Sequence, residues 1–174
     1  FTAELSSFER KRYASLSHEA NKAMNLNAYI GLMGGRWNVE RTADGDVLVP
    51  APEDGPCDLD TPWTEYLLTL DADSMLLRDY CVRLVRLLEE PGNERVAVVQ
   101  TPYSSYRGAP SRIERIAGAT TDIQHILHQG LTYYDATFWV GANAVIRRSA
   151  LEDIVERQTV GGFEIATYIQ DRTV

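Results

Sequence analysis

The chain is poor in cysteine, with only Cys57 and Cys81 among 174 residues. That excludes a disulfide framework and the cysteine-based zinc patterns, and it fits a reducing compartment. Positive charge is also scarce. Seventeen Lys and Arg face twenty-five Asp and Glu, a net charge of −8, and no basic stripe marks a nucleic-acid surface. No apolar run approaches the roughly 20 residues of a membrane span. No basic start followed by an apolar stretch marks a signal peptide, and the first residue, Phe1, is not Met, as expected of an excised or processed piece. There is no internal repeat and no low-complexity tract. What is present, 44% hydrophobic and 24% charged residues, is ordinary for a globular domain. The length suffices for one domain with a core.

The charge is unevenly placed. Residues 40–60 hold seven acidic side chains and one basic, Arg41, so this stretch carries −6 of the total. Residues 36–63 hold four of the seven prolines with several Asp-Gly and Gly-Pro steps, which mark turns. This predicts a long functional or mobile loop, with at most a short strand at 46–49. Before it, residues 4–16 are loosely amphipathic and predict a helix. Residues 21–32 set Leu26, Tyr29 and Ile30, with Met33 following, at helical spacing, and Gly34-Gly35 stops the pattern.

After the loop, residues 66–70 predict a short strand. Leu77, Cys81, Leu84, Val85 and Leu88 then share one helical face, which makes Cys81 a small buried residue. Pro91-Gly92 ends that helix. Residues 96–100 are continuously apolar up to Gln100, the pattern of a strand buried on both faces. Strand, helix and strand with short links predict a right-handed βαβ unit and a parallel pair. A long helix over 113–131, a strand over 143–146 and a short helix over 151–157 follow.

The chemistry concentrates where the first of these strands ends, at Leu67-Leu68-Thr69-Leu70-Asp71-Ala72-Asp73. In an extended chain residues i and i+2 share a face, so Asp71 and Asp73 are expected to point the same way, about 7 Å apart. Two hard carboxylates suit Mg²⁺ or Mn²⁺ carrying substrate phosphates, and the C-terminal edge of a parallel sheet is where α/β proteins bind ligands. The plain alternative is that Asp73 or Ser74 caps the following helix. His125 and His128 stand three apart on the long helix but lack a third ligand, so they read as surface or boundary histidines rather than a metal pair. His18 precedes Lys22 in sequence only.

Four ordered segments carry a resemblance: Asn21-Lys22-Ala23-Met24-Asn25-Leu26-Asn27; Asp71-Ala72-Asp73; Val99-Gln100-Thr101-Pro102-Tyr103; and Phe138-Trp139-Val140-Gly141-Ala142-Asn143-Ala144-Val145-Ile146-Arg147-Arg148 followed by Gly161-Gly162-Phe163. Together they resemble the catalytic domain of family 2 glycosyltransferases, in particular the cellulose synthase-like branch. The resemblance implies an α/β fold, a truncated GT-A-like (Rossmann-like) sandwich with a mostly parallel sheet and helices on both faces. Residues 1–174 would be part of that domain, without its first nucleotide-binding units and its C-terminal end. The acidic region 36–63 has no counterpart in the family pattern.

The implied activity is inverting, metal-dependent transfer of a sugar from a nucleotide diphosphate, a UDP-sugar, to an acceptor hydroxyl. Asp71 and Asp73 would hold Mg²⁺ or Mn²⁺ and, with Lys22, bind the donor; Lys22 otherwise reads as a solvent-facing helix lysine. Trp139 and Gly141 would bind a saccharide or lipid-linked acceptor; otherwise they read as a core aromatic and a turn glycine. The family's catalytic base follows Gly-Gly-Phe. Here it is expected just beyond Val174, with Asp171 as the fallback, so the 174-residue piece alone is expected to be inactive. The sheet edge left by missing strands is expected to self-associate. Contact with a membrane would come only through segments outside this chain, at its cytoplasmic face. Two other readings compete: a haloacid dehalogenase-type phosphotransferase, whose Asp-x-Asp motif normally continues with Thr or Val where this chain has Met75, and a non-catalytic domain that binds a sugar nucleotide or an acceptor.

Overall fold

The computed structural model describes residues 4–102, 104–106, 108–139, 141 and 143–170. Its elements are α1 (Lys22–Leu32), β1 (Arg36–Thr42), β2 (Gly45–Pro50), β3 (Leu59–Asp60), β4 (Tyr66–Thr69), α2 (Tyr80–Leu88), β5 (Val98–Gln100), α3 (Arg112–Tyr133), β6 (Ala144–Arg147), α4 (Arg148–Glu152), β7 (Glu156–Val160) and β8 (Phe163–Thr167). They divide into two compact units, Phe1–Glu65 with Arg148–Val174, and Tyr66–Arg147.

In the first unit, the region expected to be a loop is an antiparallel sheet of order β2-β1-β3. β1 and β2 pair from Trp37↔Pro50 to Thr42↔Gly45, joined by Ala43-Asp44, the two-residue link of a tight hairpin. The prolines sit at strand ends and beyond them, where no ladder bond is lost. Some of the acidic residues take partners here. Asp46 meets Arg41 at 2.6 Å and Arg12 at 3.7 Å, and Asp58 Oδ2 accepts from the Val39 N–H at 2.8 Å.

Residues 4–16 do not form the expected helix; they contain a single 3-10 turn, Arg10–Arg12. Arg10 is the reason. It is buried and donates to Asn25 Oδ1 at 2.6 Å and to the Ser17 and Glu19 carbonyls, which holds the chain in an irregular path. α1 forms as expected and is capped by Asn21, whose Oδ1 accepts from the Met24 N–H. Its buried stripe is Ala23, Asn27 and Ile30, while Leu26 and Tyr29 are half-buried. The helix expected at 151–157 is shorter and earlier. After α4 the chain forms a hairpin, β7 with β8, turned by Gly161 and Gly162 at φ 59° and 87°, a conformation that glycine adopts without strain.

In the second unit the sheet order is β4-β6-β5, and this corrects the expected parallel pair. β4 and β5 run the same way but are not neighbours, because β6 lies between them and is antiparallel to both. Ala144, Val145 and Ile146 are at most 1% exposed, since the middle strand is covered on both sides. The short strand–helix–strand links fix only the direction of β4 and β5; the later apolar strand takes the central place because it buries most there. Leu84 and Leu88 of α2 pack on Val145, with Tyr66, Leu68, Tyr80, Val85, Val96 and Val99 around them. α2 starts three residues later than its apolar pattern, so Leu77 stays 77% exposed. Cys81 is exposed rather than buried, because the helix turns the Leu84–Leu88 edge of its apolar face to the sheet.

α3 begins with a capping box in which Ser111 and Glu114 exchange hydrogen bonds. Those bonds hold the Glu114 carboxyl below its usual range. Among the described residues of α3 only Gly118 and His128 are buried, and Ile113, Ile116, Ile123, Ile126 and Leu127 are exposed.

Candidate functional site

The topology of the second unit gathers the candidate residues at one edge of the sheet. Thr69 of β4 and Gln100 of β5 both register with Ala144 of β6. The chain leaving β4 toward Asp71 and Asp73, the chain leaving β5 at Thr101, and the chain entering β6 from Trp139 and Gly141 therefore share that edge. It is the C-terminal edge of β4 and β5, the ligand-binding side in α/β sheets.

Tyr80 ties these segments together. Its hydroxyl donates to the Asn143 carbonyl at 2.9 Å and lies 2.8 Å from Thr101 Oγ1, and the Thr101 N–H donates to the same carbonyl at 3.2 Å. Asn143 is buried in the left-handed region, at φ 52°, which asparagine tolerates better than most residues. Sequence reasoning missed Tyr80, and it quoted Asn143 in a motif without giving it a task. Tyr80 stands at the start of an apolar helical pattern, and nothing in that pattern distinguishes its hydroxyl.

The Asp-x-Asp segment departs from the expected geometry. β4 ends at Thr69, and the Ser74 N–H donates to the Asp71 carbonyl at 3.0 Å, so Asp71-Ala72-Asp73-Ser74 is a turn. The same-face argument for an extended strand does not apply there. Helix capping is excluded too, since α2 begins after Asp79. Both carboxylates are exposed. Among the described residues no group of three or more His, Cys, Asp and Glu could hold a metal. Two exposed carboxylates do not make an all-protein cage. An Mg²⁺ or Mn²⁺ ion held by them would have to keep waters and bring phosphate oxygens with it.

Trp139 is half-buried, and its Nε1 is buried without a hydrogen-bond partner among the described residues, a donor that a ligand or water could take up. It lines a cavity of about 610 Å³ with Phe138, Thr101, His125 and His128. Among the described residues the lining carries amides, hydroxyls and imidazoles but no Asp, Glu, Lys or Arg. His128 is taken up structurally: Nδ1 lies 3.2 Å from Thr137 Oγ1 and the ring packs edge-on against Phe138. Gly141 has φ 92°, a conformation that favours glycine, and no atom of the described residues stands within 4 Å of where a side chain would start.

The other predicted residues belong to the first unit. Lys22 is exposed in the first turn of α1, a turn that holds no acidic residue. Its charge adds to the partial positive charge of the helix N-terminus, which favours an anion. His18 Nε2 contacts the Tyr13 carbonyl at 3.1 Å, a local bond. Asp171 lies outside the described residues. The chain before it is held by Asn27, which the sequence reading placed in a motif without giving it a task. Tyr168, in that chain, has its phenol pushed up, first by burial and then by Glu152, with Arg157 and Arg148 opposing.

The model of the glycosyl transferase family group 2 matches residues 66–174, which takes in the whole sheet edge and the Gly-Gly-Phe hairpin. The chain belongs to that family. Cellulose synthase 1 of Komagataeibacter xylinus is 30% identical over 113 residues, a stretch covering 62% of this chain and 7% of that protein. The UDP-forming cellulose synthase catalytic subunit of Komagataeibacter sucrofermentans is 28% identical over 112 residues, 62% of this chain and 14% of that protein. The chain thus spans a small part of these relatives. No solved structure matches it. Family membership supports glycosyl transfer as the general chemistry. No described helix is long and apolar enough to cross a membrane.

Proposed function

We propose that the protein containing this chain transfers a sugar from a UDP-sugar to a hydroxyl of a saccharide or lipid-linked acceptor, with inversion and with Mg²⁺ or Mn²⁺. The observation that carries this reading is the convergence of Asp71 and Asp73 with Trp139 and Gly141 at one sheet edge in a chain of this family. Asp71 and Asp73 hold the ion, which supplies Lewis-acid stabilisation to the leaving diphosphate. Lys22 adds positive charge to the donor. Trp139 offers an aromatic face and an indole N–H to the acceptor sugar. As the acceptor oxygen attacks the anomeric carbon, the bond to the diphosphate breaks on the opposite side. The acceptor proton passes to a carboxylate on the chain after Gly161-Gly162-Phe163. We place that base beyond Val174, with Asp171 as the fallback. The transfer takes place on the cytoplasmic face of the membrane.

Calorimetry of Mn²⁺ with UDP tests the reading at its centre. Asp73→Asn is expected to weaken ion binding at least about tenfold, the lower end of what loss of even an outer partner costs a metal site. If wild type and variant titrate alike, the metal assignment is wrong. In the full-length protein, UDP release from a UDP-sugar should require the ion, whereas the 174-residue chain alone should be silent.

A further inference from the structure

Asn27 is 2% exposed, one of the most buried side chains of the described chain. Its Oδ1 accepts from the N–H groups of Tyr168, at 3.0 Å, and Ile169, at 2.8 Å. Its Nδ2 donates to the Ile169 carbonyl at 2.7 Å. β8 ends at Thr167, so these backbone groups lie just past the hairpin ladder. Buried backbone groups need partners, and one amide serves three of them. Only a side chain with both an acceptor and a donor in one plane does this; Asp lacks the donor and Leu lacks both. The next residue is held as well, since Gln170 Nε2 donates to Glu156 Oε1 of β7 at 3.0 Å.

Asn27 and Lys22 share α1, so the helix that presents Lys22 is bonded to the chain leaving the Gly-Gly-Phe hairpin. We infer that Asn27 is a positioning residue: it fixes the backbone of Tyr168 and Ile169, and so the start of the segment that delivers the proton-accepting carboxylate, relative to the lysine helix. This rests on the glycosyl-transfer reading above. The side chain is buried and its amide is spent on the backbone of Tyr168 and Ile169, so its effect falls on turnover rather than on donor affinity.

The test uses the full-length protein with a UDP-sugar donor, measuring kcat and donor KM for wild type, Asn27→Ala and Asn27→Asp, with amide exchange at Tyr168 and Ile169 in the same variants. Asn27→Ala should lower kcat by roughly tenfold to a hundredfold, the penalty of a small misplacement of a reacting group. Donor KM should stay within about twofold, as expected when uniform binding is untouched, and both amides should exchange faster. Asn27→Asp keeps the two accepting bonds and should fall between wild type and Asn27→Ala. Unchanged kcat in folded Asn27→Ala overturns the inference, and so does a loss confined to donor KM. If Asn27→Ala does not fold, Asn27→Asp decides alone, since wild-type turnover in it would refute the role. A wild type that releases no UDP from any UDP-sugar overturns the glycosyl-transfer reading instead.

Discussion

Each unit carries a three-stranded sheet whose middle strand runs against both neighbours, yet the two are assembled in different ways. In the first unit β1 and β2 meet through a two-residue link. In the second, β4 and β5 wait for a middle strand that follows a 22-residue helix. Each unit also has an arginine that spreads its guanidinium over backbone carbonyls. Arg10 bonds Ser17, Glu19 and Asn25, all within fifteen residues. Arg147 bonds the carbonyls of Leu88, Val96 and Asn93 and the Tyr66 hydroxyl, 51 to 81 residues away, with Glu89 also near. The same side chain closes a local turn in one unit and a whole topology in the other.

Removing these arginines should separate the two designs. Arg147→Ala leaves several carbonyls without a donor and is expected to cost about 3 kcal/mol, since each orphaned buried group costs roughly 1–3 kcal/mol. Urea unfolding measures it, and the amides of Val145 and Ile146 should lose protection first. Arg10→Ala should cost less, about 2 kcal/mol, because a short loop re-forms with little entropy at stake. Equal losses in the two variants would break the comparison.

Tyr80→Phe sharpens the view of the second unit. It removes only the hydroxyl at the sheet edge and should cost about 1 kcal/mol, the typical worth of a hydrogen bond. Thr101→Val should couple to it in a double-mutant cycle. Additive effects would mean that the hydroxyl does not tie β5 to β6.

The smallest effect concerns α3. The Glu114 carboxyl lies below its ordinary value because Ser111 donates to it. A carboxyl depressed in the fold stabilises above its unfolded pKa, and that contribution disappears as pH falls through the folded pKa. Ser111→Ala should therefore raise the Glu114 pKa toward the ordinary carboxylate value in a chemical-shift titration. It should also weaken the acid dependence of the first turn of α3.

What the sequence disclosed follows the same divide. In the second unit, period and apolar runs gave β4, α2, β5, α3 and β6 within a few residues, because burial imposes those patterns. The neighbour relation of β4 and β5 was hidden, since strand direction is local information and strand order is not. In the first unit, Pro50, Pro52 and Asp44-Gly45 mark turns, but β1 exposes its last three residues and β2 buries only Val47 and Leu48, so little alternation survived to be read. The candidate site was legible as residue types at Asp71, Asp73, Trp139 and Gly141. Its fastener was not: Tyr80 acts through one hydroxyl inside an otherwise apolar pattern, just as Asn27 of the first unit acts through one amide inside a helical pattern. The turn at 71–74 was missed because an apolar strand does not announce its last residue.

The place of β6 between β4 and β5 also sets a timetable. A ribosome delivers β4, α2 and β5 first, then all of α3, and only afterwards the strand that joins them. At about 5–20 residues per second, β4 and β5 have unfilled edges for seconds while the apolar face of α2 has no sheet to cover. A nascent chain stalled before Ala144 would hold two short hydrophobic strands that cannot pair as they do in the finished unit, and such exposed strands are aggregation hazards. Completion of the sheet, and with it the edge that carries the candidate site, is thus tied to the emergence of a single four-residue strand.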